Sequence, residues 1–369
     1  MHKIKFPICL LSLWAMIGSV QAASPQLDKI NLPPGFKISI YTDQTENSRS
    51  LALGDDGIVY VGTRRAGNVY AVRDADGDHR AEQVFTLAKG LNMPNGVAFR
   101  DGSLYVAEVN RILRYDNIAK NLENPPEPVV LNDDFPSDRH HGWKFIRFGP
   151  DNRLYVPVGA PCNVCKEKDP VYATITSIDL DGKNREIYAE GVRNTVGFDW
   201  HPQRKTLWFT DNGRDMLGDE IPPDELNHAP EKGMDFGFPY CHGDDLSDKK
   251  FGKIGKCEDA IAPAGKFRAH VAAVGMRFYT GKQFPEKYRN QIFVAQHGSW
   301  NRTEKIGYRV MLVTLDDNDK VTDIEDFANG WLNNGDAWGR PADVEVMPDG
   351  SLLISDDYAD AIYRISYEQ

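Results

Sequence analysis

His140 and His141 stand side by side in the stretch PSDRHHGWKFIRFGPDNRLYV, between a loop-like run and a strand-like one. Adjacent imidazoles fit a metal site, a catalytic base with a neighbour, or two surface residues. Other polar groups recur beside strand-like segments. Arg193 and Asn194 lie in GVRNTVGF; Asp211, Asn212, Gly213 and Arg214 in FTDNGRDMLGDE; His297, Trp300, Asn301 and Arg302 in VAQHGSWNR. Arg340 precedes a strand in WGRPADVEV, and Arg64 and Arg65 follow one at YVGT. Forked guanidinium groups, amides and one aromatic plane suit a flat ligand carrying several carboxylates. A hydrolase built on metal alone would show more converging carboxylates or paired histidines. The chain has no glycine-rich dinucleotide fingerprint and no GxSxG.

The segments that must position these groups form a repeat. A turn with Gly, Asp or Asn precedes an apolar strand in GDDGIVYVGT, FRDGSLYVAE, GPDNRLYVPV, HPQRKTLWFTD, KYRNQIFVAQ and MPDGSLLISD. The strand centres are Tyr60, Tyr105, Tyr155, Trp208, Phe293 and Leu353. Short strands precede and follow most copies, so each copy reads as a four-stranded blade. Six copies predict an all-β, six-bladed β-propeller. The widest gap, from Trp208 to Phe293, predicts an insertion around residues 214–270, lying over one face and pinned by Cys241–Cys257. If the ring closes, the polar groups converge near its axis.

The chain starts with Lys3 and Lys5, an apolar run to Val20 and a small-residue pattern ending near Ala22 or Ala23. That is the pattern of a secretory signal peptide over 1–23, leaving a single propeller domain over 24–369 in an exported, periplasmic or secreted protein. The formal charge of −11 argues against nucleic acid and anionic membranes as partners. Four cysteines follow the leader, and export favours disulfides Cys162–Cys165 and Cys241–Cys257. A haem motif would need His where Lys166 stands, and a four-cysteine zinc site lacks close spacing in its second pair. Asp74, Asp76, Asp78 and Glu82 alternate in DADGDHRAE, but Gly77 is out of EF-hand order. That loop reads as an acidic surface turn or as a structural calcium loop.

HHGWKFIRFGPDNRLYVPVG, EGVRNTVGFDWHP, FTDNGRDMLGDE, GMDFGFPYCHG and HGSWNR together resemble the soluble PQQ-dependent sugar dehydrogenases, the glucose/sorbosone dehydrogenase family, in its sorbosone-type branch. The resemblance runs from about Leu32 to the C-terminus. It implies pyrroloquinoline quinone (PQQ) and Ca²⁺ as cofactors, a small sugar as substrate and an external electron acceptor. It also implies roles. His141, eight residues before the Gly of GPD, is the general base, and Arg193 meets the reactive quinone carbonyl. Asn194 contacts the quinone, and Asn95 supplies an amide near it. Arg302 and Arg340 face its carboxylates, and main-chain carbonyls of Gly213 and Arg214 hold Ca²⁺. From the residues themselves, Arg64 and Trp300 join the cofactor-binding set. In one respect the sequence departs from the family: Ala160 occupies the place of an Asp that orients the catalytic histidine in the glucose enzymes. His140 or another loop group must then hold His141. Two other functions share this fold, a calcium-dependent propeller lactonase and a non-catalytic exported binding propeller.

Overall fold

The computed structural model describes residues 24–368, so the predicted leader lies outside the described residues. Within them the chain forms a six-bladed β-propeller. Blade 1 comprises Ser48–Leu53, Val59–Thr63, Val69–Arg73 and Gln83–Ala88; blade 2 comprises Gly96–Arg100, Ser103–Ala107, Ile112–Tyr115 and Val129–Asn132. Blade 3 comprises Arg147–Phe148, Leu154–Val158, Thr174–Ile178 and Glu186–Glu190, with Met234–Asp235 added in parallel at its edge. Blade 4 comprises Phe198–Trp200, Leu207–Asp211, Asp224–Ala229 and Gly265–Phe267; blade 5 comprises Ala273–Phe278, Ile292–Gln296, Arg309–Leu315 and Val321–Ala328. Blade 6 takes Pro341–Val346, Leu352–Asp356 and Ala361–Tyr367 from the C-terminal end. Its outer strand, Phe36–Thr42, comes from the N-terminal end, with Phe36 opposite Tyr367 and Ile40 opposite Tyr363. This pairing closes the ring by tying the N-terminal segment into the C-terminal blade.

The repeat seen in the sequence is the turn between first and second strands of each blade. Each such turn holds a residue of positive φ: Gly57, Asp101, Asn152, Lys205, Asn290 and Gly350. These are mostly the Gly, Asp and Asn types that tolerate the left-handed region. The strand that follows is packed on both faces by neighbouring blades. Tyr60, Trp208, Phe293 and Leu353 are accordingly fully buried, each such side chain contributing roughly 1.5–3 kcal/mol of transfer free energy. The largest apolar cluster joins blades 5 and 6, where Phe36 meets Phe284 at 4.7 Å and Phe327 at 5.0 Å, both edge-to-face.

Arg277 bonds Glu345 at 3.0 Å, and Arg147 pairs with Asp199 at 3.0 Å and Glu345 at 3.5 Å, linking blades 3, 4, 5 and 6. Two findings refine the reading of the long gap. Asp224–Ala229 and Gly265–Phe267 are blade-4 strands, so the added chain is confined to 230–264 between them. Cys241–Cys257 does tie this segment, with 5.0 Å between Cα atoms, and Cys162–Cys165 bridges at 6.0 Å. No helix among the described residues is long and apolar enough to cross a membrane.

Candidate active site

In an antiparallel blade the residues entering the first strand and leaving the second share one face of the ring. On that face lies a cleft of about 570 Å³. Blade 1 contributes Arg49, Arg64 and Arg65, and the approach to blade 3 contributes Arg139, His140, His141 and Trp143. Blade 4 adds Arg193, Asn194, Gly213 and Asp215; blade 5 adds His297, Trp300 and Asn301; blade 6 adds Arg340. Val196 and Val274 supply an apolar lining.

His141 is buried, and its Nδ1 lies 2.8 Å from the main-chain oxygen of Ala160. A carbonyl only accepts, so Nδ1 carries the proton and Nε2 keeps its lone pair. Burial, then the charges of Arg193 and His140, hold the His141 pKa well below 6.5. The ring is therefore neutral near pH 7 and able to take a proton. The group that orients the ring is thus the backbone oxygen of Ala160, not a side chain. Gly159 makes this approach possible, because a Cβ there would stand 2.7 Å from the His141 Cβ.

Adjacent side chains on an extended segment would point to opposite sides. That expectation fails here. His141 has φ of 52°, in a turn, and both imidazoles line the cleft with centroids 4.1 Å apart. His140 is the exposed member of the pair.

Arg193 is held on several sides. Its Nε donates to the Asn163 carbonyl at 3.0 Å, Nη1 to the Asn212 carbonyl at 2.9 Å, and Nη2 to Asn163 Oδ1 and Asp215 Oδ2, each at 3.0 Å. One N–H on Nη1 remains for a ligand. Asp211 accepts the main-chain N–H of Arg193 at 2.7 Å and of Asn194 at 2.6 Å, which fixes the RN pair. The Asn194 side chain lines the cleft and makes no hydrogen bond among the described residues.

Arg64 stacks 3.5 Å above the Trp143 ring, and its buried Nε has no partner. Burial, with Arg49 and Arg65 nearby, lowers its pKa to about 10. The Arg340 guanidinium donates only to main-chain oxygens, of His297 at 3.0 Å and Gly298 at 2.9 Å. Neither forms an ion pair among the described residues. A half-buried guanidinium without a counter-charge is costly, so two of them at one cleft mark a place for an anion. Arg49, by contrast, is neutralised by Asp357 at 3.0 Å.

Some residues singled out in the sequence lie elsewhere. Asn95 is fully buried behind Arg49, bonding its Nε at 3.1 Å, Ser50 Oγ at 3.1 Å and the Lys144 carbonyl at 2.8 Å. It supports the wall and does not line it. Arg302 is turned out of the cleft, its guanidinium used by the carbonyls of Asp219 and Ala269 and by Glu220. The Arg214 side chain pairs with Asp248 in the inserted segment. Gly213 does line the cleft, and its N–H bonds Asp224 at 2.8 Å. Trp300 stands at the rim, 67% exposed. Asp74, Asp76 and Asp78 do gather within 4.8 Å, on an exposed loop outside the cleft. Arg49, Arg139, Trp143, Asn163, Asp215, Asp224 and His270 are among the site residues that sequence reasoning missed.

A family model described as a domain of unknown function, DUF7133, matches residues 24–365. The chain belongs to the DUF7133 family. An uncharacterized protein from Borreliella burgdorferi is 32% identical to this DUF7133 chain, over 98% of it and 97% of the relative. Among solved structures, the calcium structure of a Trichoderma reesei carbohydrate-active enzyme of family AA12 superposes with TM-score 0.80 at 18% identity, covering 95% and 99% of the two chains. The holo form of the pyranose dehydrogenase PQQ domain from Coprinopsis cinerea gives TM-score 0.78 at 16% identity, covering 91% and 97%. At such identities the likeness establishes the shared propeller, and the activity of the DUF7133 chain has to be read from its cleft.

Proposed function

We propose that this DUF7133 protein is an exported, single-domain, PQQ-dependent sugar dehydrogenase that passes electrons to an external acceptor. The observation that carries the reading is a neutral, oriented His141 in the same cleft as guanidinium groups that have no carboxylate partner. The Coprinopsis neighbour, described as a PQQ domain in holo form, and the calcium-bound family AA12 structure support the choice of cofactors.

The residues present fit such a group. A cleft of about 570 Å³ falls in the usual range for ligand sites. Arg64 and Arg340 are placed to pair with cofactor carboxylates, Arg64 with an orphaned buried Nε. The carbonyl oxygens of Gly213 and Arg214 accept no hydrogen bond among the described residues, and such oxygens are the donors that Ca²⁺ takes. Bound there, the quinone supplies a two-electron acceptor that the protein itself lacks.

His141 Nε2 takes the proton of a sugar hydroxyl while the Ala160 carbonyl keeps the ring in the working tautomer. The remaining N–H of Arg193 is free to donate to a bound group, and would stabilise negative charge on an acceptor oxygen held there. Asn194 orients the bound ring system with its free amide. Val196 and Val274 keep water from one wall. The lactonase alternative loses ground because the cleft carboxylates are engaged. Asp215 holds Arg193 at 3.0 Å, and both Asp224 oxygens accept main-chain N–H groups.

Titrating the purified protein with PQQ, followed by tryptophan fluorescence, tests the reading. One PQQ per chain should bind, and more tightly with Ca²⁺ than with a chelator present. No saturable binding under either condition would overturn it.

The pH dependence is also specified. His141 acts as the neutral ring, and its pKa lies below 6.5, so protonation removes activity only as pH falls below that range. In the reconstituted enzyme kcat/KM should be flat from about pH 7 to 6.5, the reference histidine value, and fall at lower pH. A midpoint above 6.5 would contradict the assigned base.

A further inference from the structure

The wall of the cleft is uneven. Residues 159–173, 212–223 and 297–308 link the second and third strands of blades 3, 4 and 5, whereas 64–68, 108–111 and 357–360 make the same links in blades 1, 2 and 6. The face is therefore low on the side of blades 6, 1 and 2, and the groove lies at blades 1 and 2. There the cleft adjoins a second depression of about 450 Å³, lined by Arg64, Arg65, Arg139 and residues 90–93. The three arginines line both spaces, so the two adjoin.

This groove is cationic in a chain with 54 acidic and 43 basic side chains. Arg65 and Arg139 are exposed and, like Arg64, form no ion pair among the described residues. Nearby acids are already engaged: Glu108 by Arg111 and the Asn92 N–H, and Asp138 by the Tyr172 hydroxyl. The Asn92 side chain, on the groove wall, makes no hydrogen bond among the described residues. Arg139 immediately precedes His140 and His141, so an anion held there is close to the assigned base.

We infer that the groove is a substrate subsite for a carboxylated saccharide, a uronic acid or uronide. Arg65 and Arg139 grip the sugar carboxylate with forked N–H groups while a ring hydroxyl reaches His141. The saccharide part rests on the dehydrogenase reading, and the anion part rests on the groove itself.

Calorimetric titration of the full chain with glucuronate, glucose and glucose 6-phosphate tests this, with and without saturating PQQ. Glucuronate and glucose share a ring and differ at C6. Glucuronate should bind about tenfold more tightly than glucose at low salt, as expected for a charge-assisted pair. Raising the salt to about 1 M should close the gap, since that shortens the screening length to about 3 Å. A folded Arg65→Ala/Arg139→Ala double variant should bind the two sugars equally. Equal affinities in the parent protein, or a preference that survives both salt and the double variant, would overturn the subsite. Tighter binding of glucose 6-phosphate than of glucuronate would overturn the carboxylate assignment. PQQ binding is read separately. Uronide preference without PQQ binding would defeat the dehydrogenase reading alone, and PQQ binding without the preference would defeat this subsite alone.

Discussion

Replacing His141 by Asn should lower kcat of the PQQ-loaded enzyme by roughly 10²–10⁴, the usual size of lost general-base catalysis. PQQ affinity should change little, because the His141 ring contributes no charge near neutral pH and its one internal partner is the Ala160 carbonyl. His140→Asn should have a much smaller effect: that ring is exposed and makes no hydrogen bond among the described residues. Steady-state assays of both variants at saturating PQQ and Ca²⁺ check the assignment. Loss of rate in His140→Asn with full rate in His141→Asn would reverse it. Parent rates in both would remove histidine base catalysis from the mechanism.

Arg64→Ala should separate binding from folding. Breaking a desolvated guanidinium–carboxylate pair typically costs about 2–4 kcal/mol, so PQQ affinity should fall about 30- to 1,000-fold. The cofactor-free protein should unfold within about 1 kcal/mol of the parent, because relief of an unpaired buried charge opposes loss of the Trp143 stacking. Urea unfolding without PQQ, set beside a PQQ titration, measures both quantities. A variant with weakened folding and unchanged PQQ affinity would make Arg64 a structural residue.

The propeller was legible because each blade repeats one local conflict and its solution. A sharp turn that needs a left-handed residue is followed by a strand buried on both faces, and both leave marks in the sequence. Blade 4 was read less well. Its third strand, Asp224–Ala229, carries Asp224, Glu225, Asn227 and His228, and the buried carboxylates there are satisfied by main-chain N–H groups that no pattern announces.

The same limit applies to the cleft. Arg193, Asn194 and Arg340 stand within a few residues of strand ends, where the repeat predicts convergence, and the structure brings them together with His141 from the 133–146 connection. Arg302 has the same sequence context but lies farther along its loop, where nearby carbonyls take its guanidinium. The Ala160 carbonyl could not be found from side-chain identity, since any residue there offers the same oxygen. Arg139 and Asn163 lie in long connections with no spacing pattern, and only the folded chain places Asn163 against Arg193.

The central claim is that sugar oxidation and quinone reduction happen in this one cleft. The most direct measurement is a single turnover: PQQ-loaded protein is mixed with a sugar, without any other acceptor, while the absorbance of the bound quinone is recorded. The account predicts that one quinone per chain is reduced in the parent protein and that reduction is slowed roughly 10²–10⁴-fold in His141→Asn. Bound quinone that stays oxidised in the parent protein with every neutral and carboxylated sugar tried would contradict it.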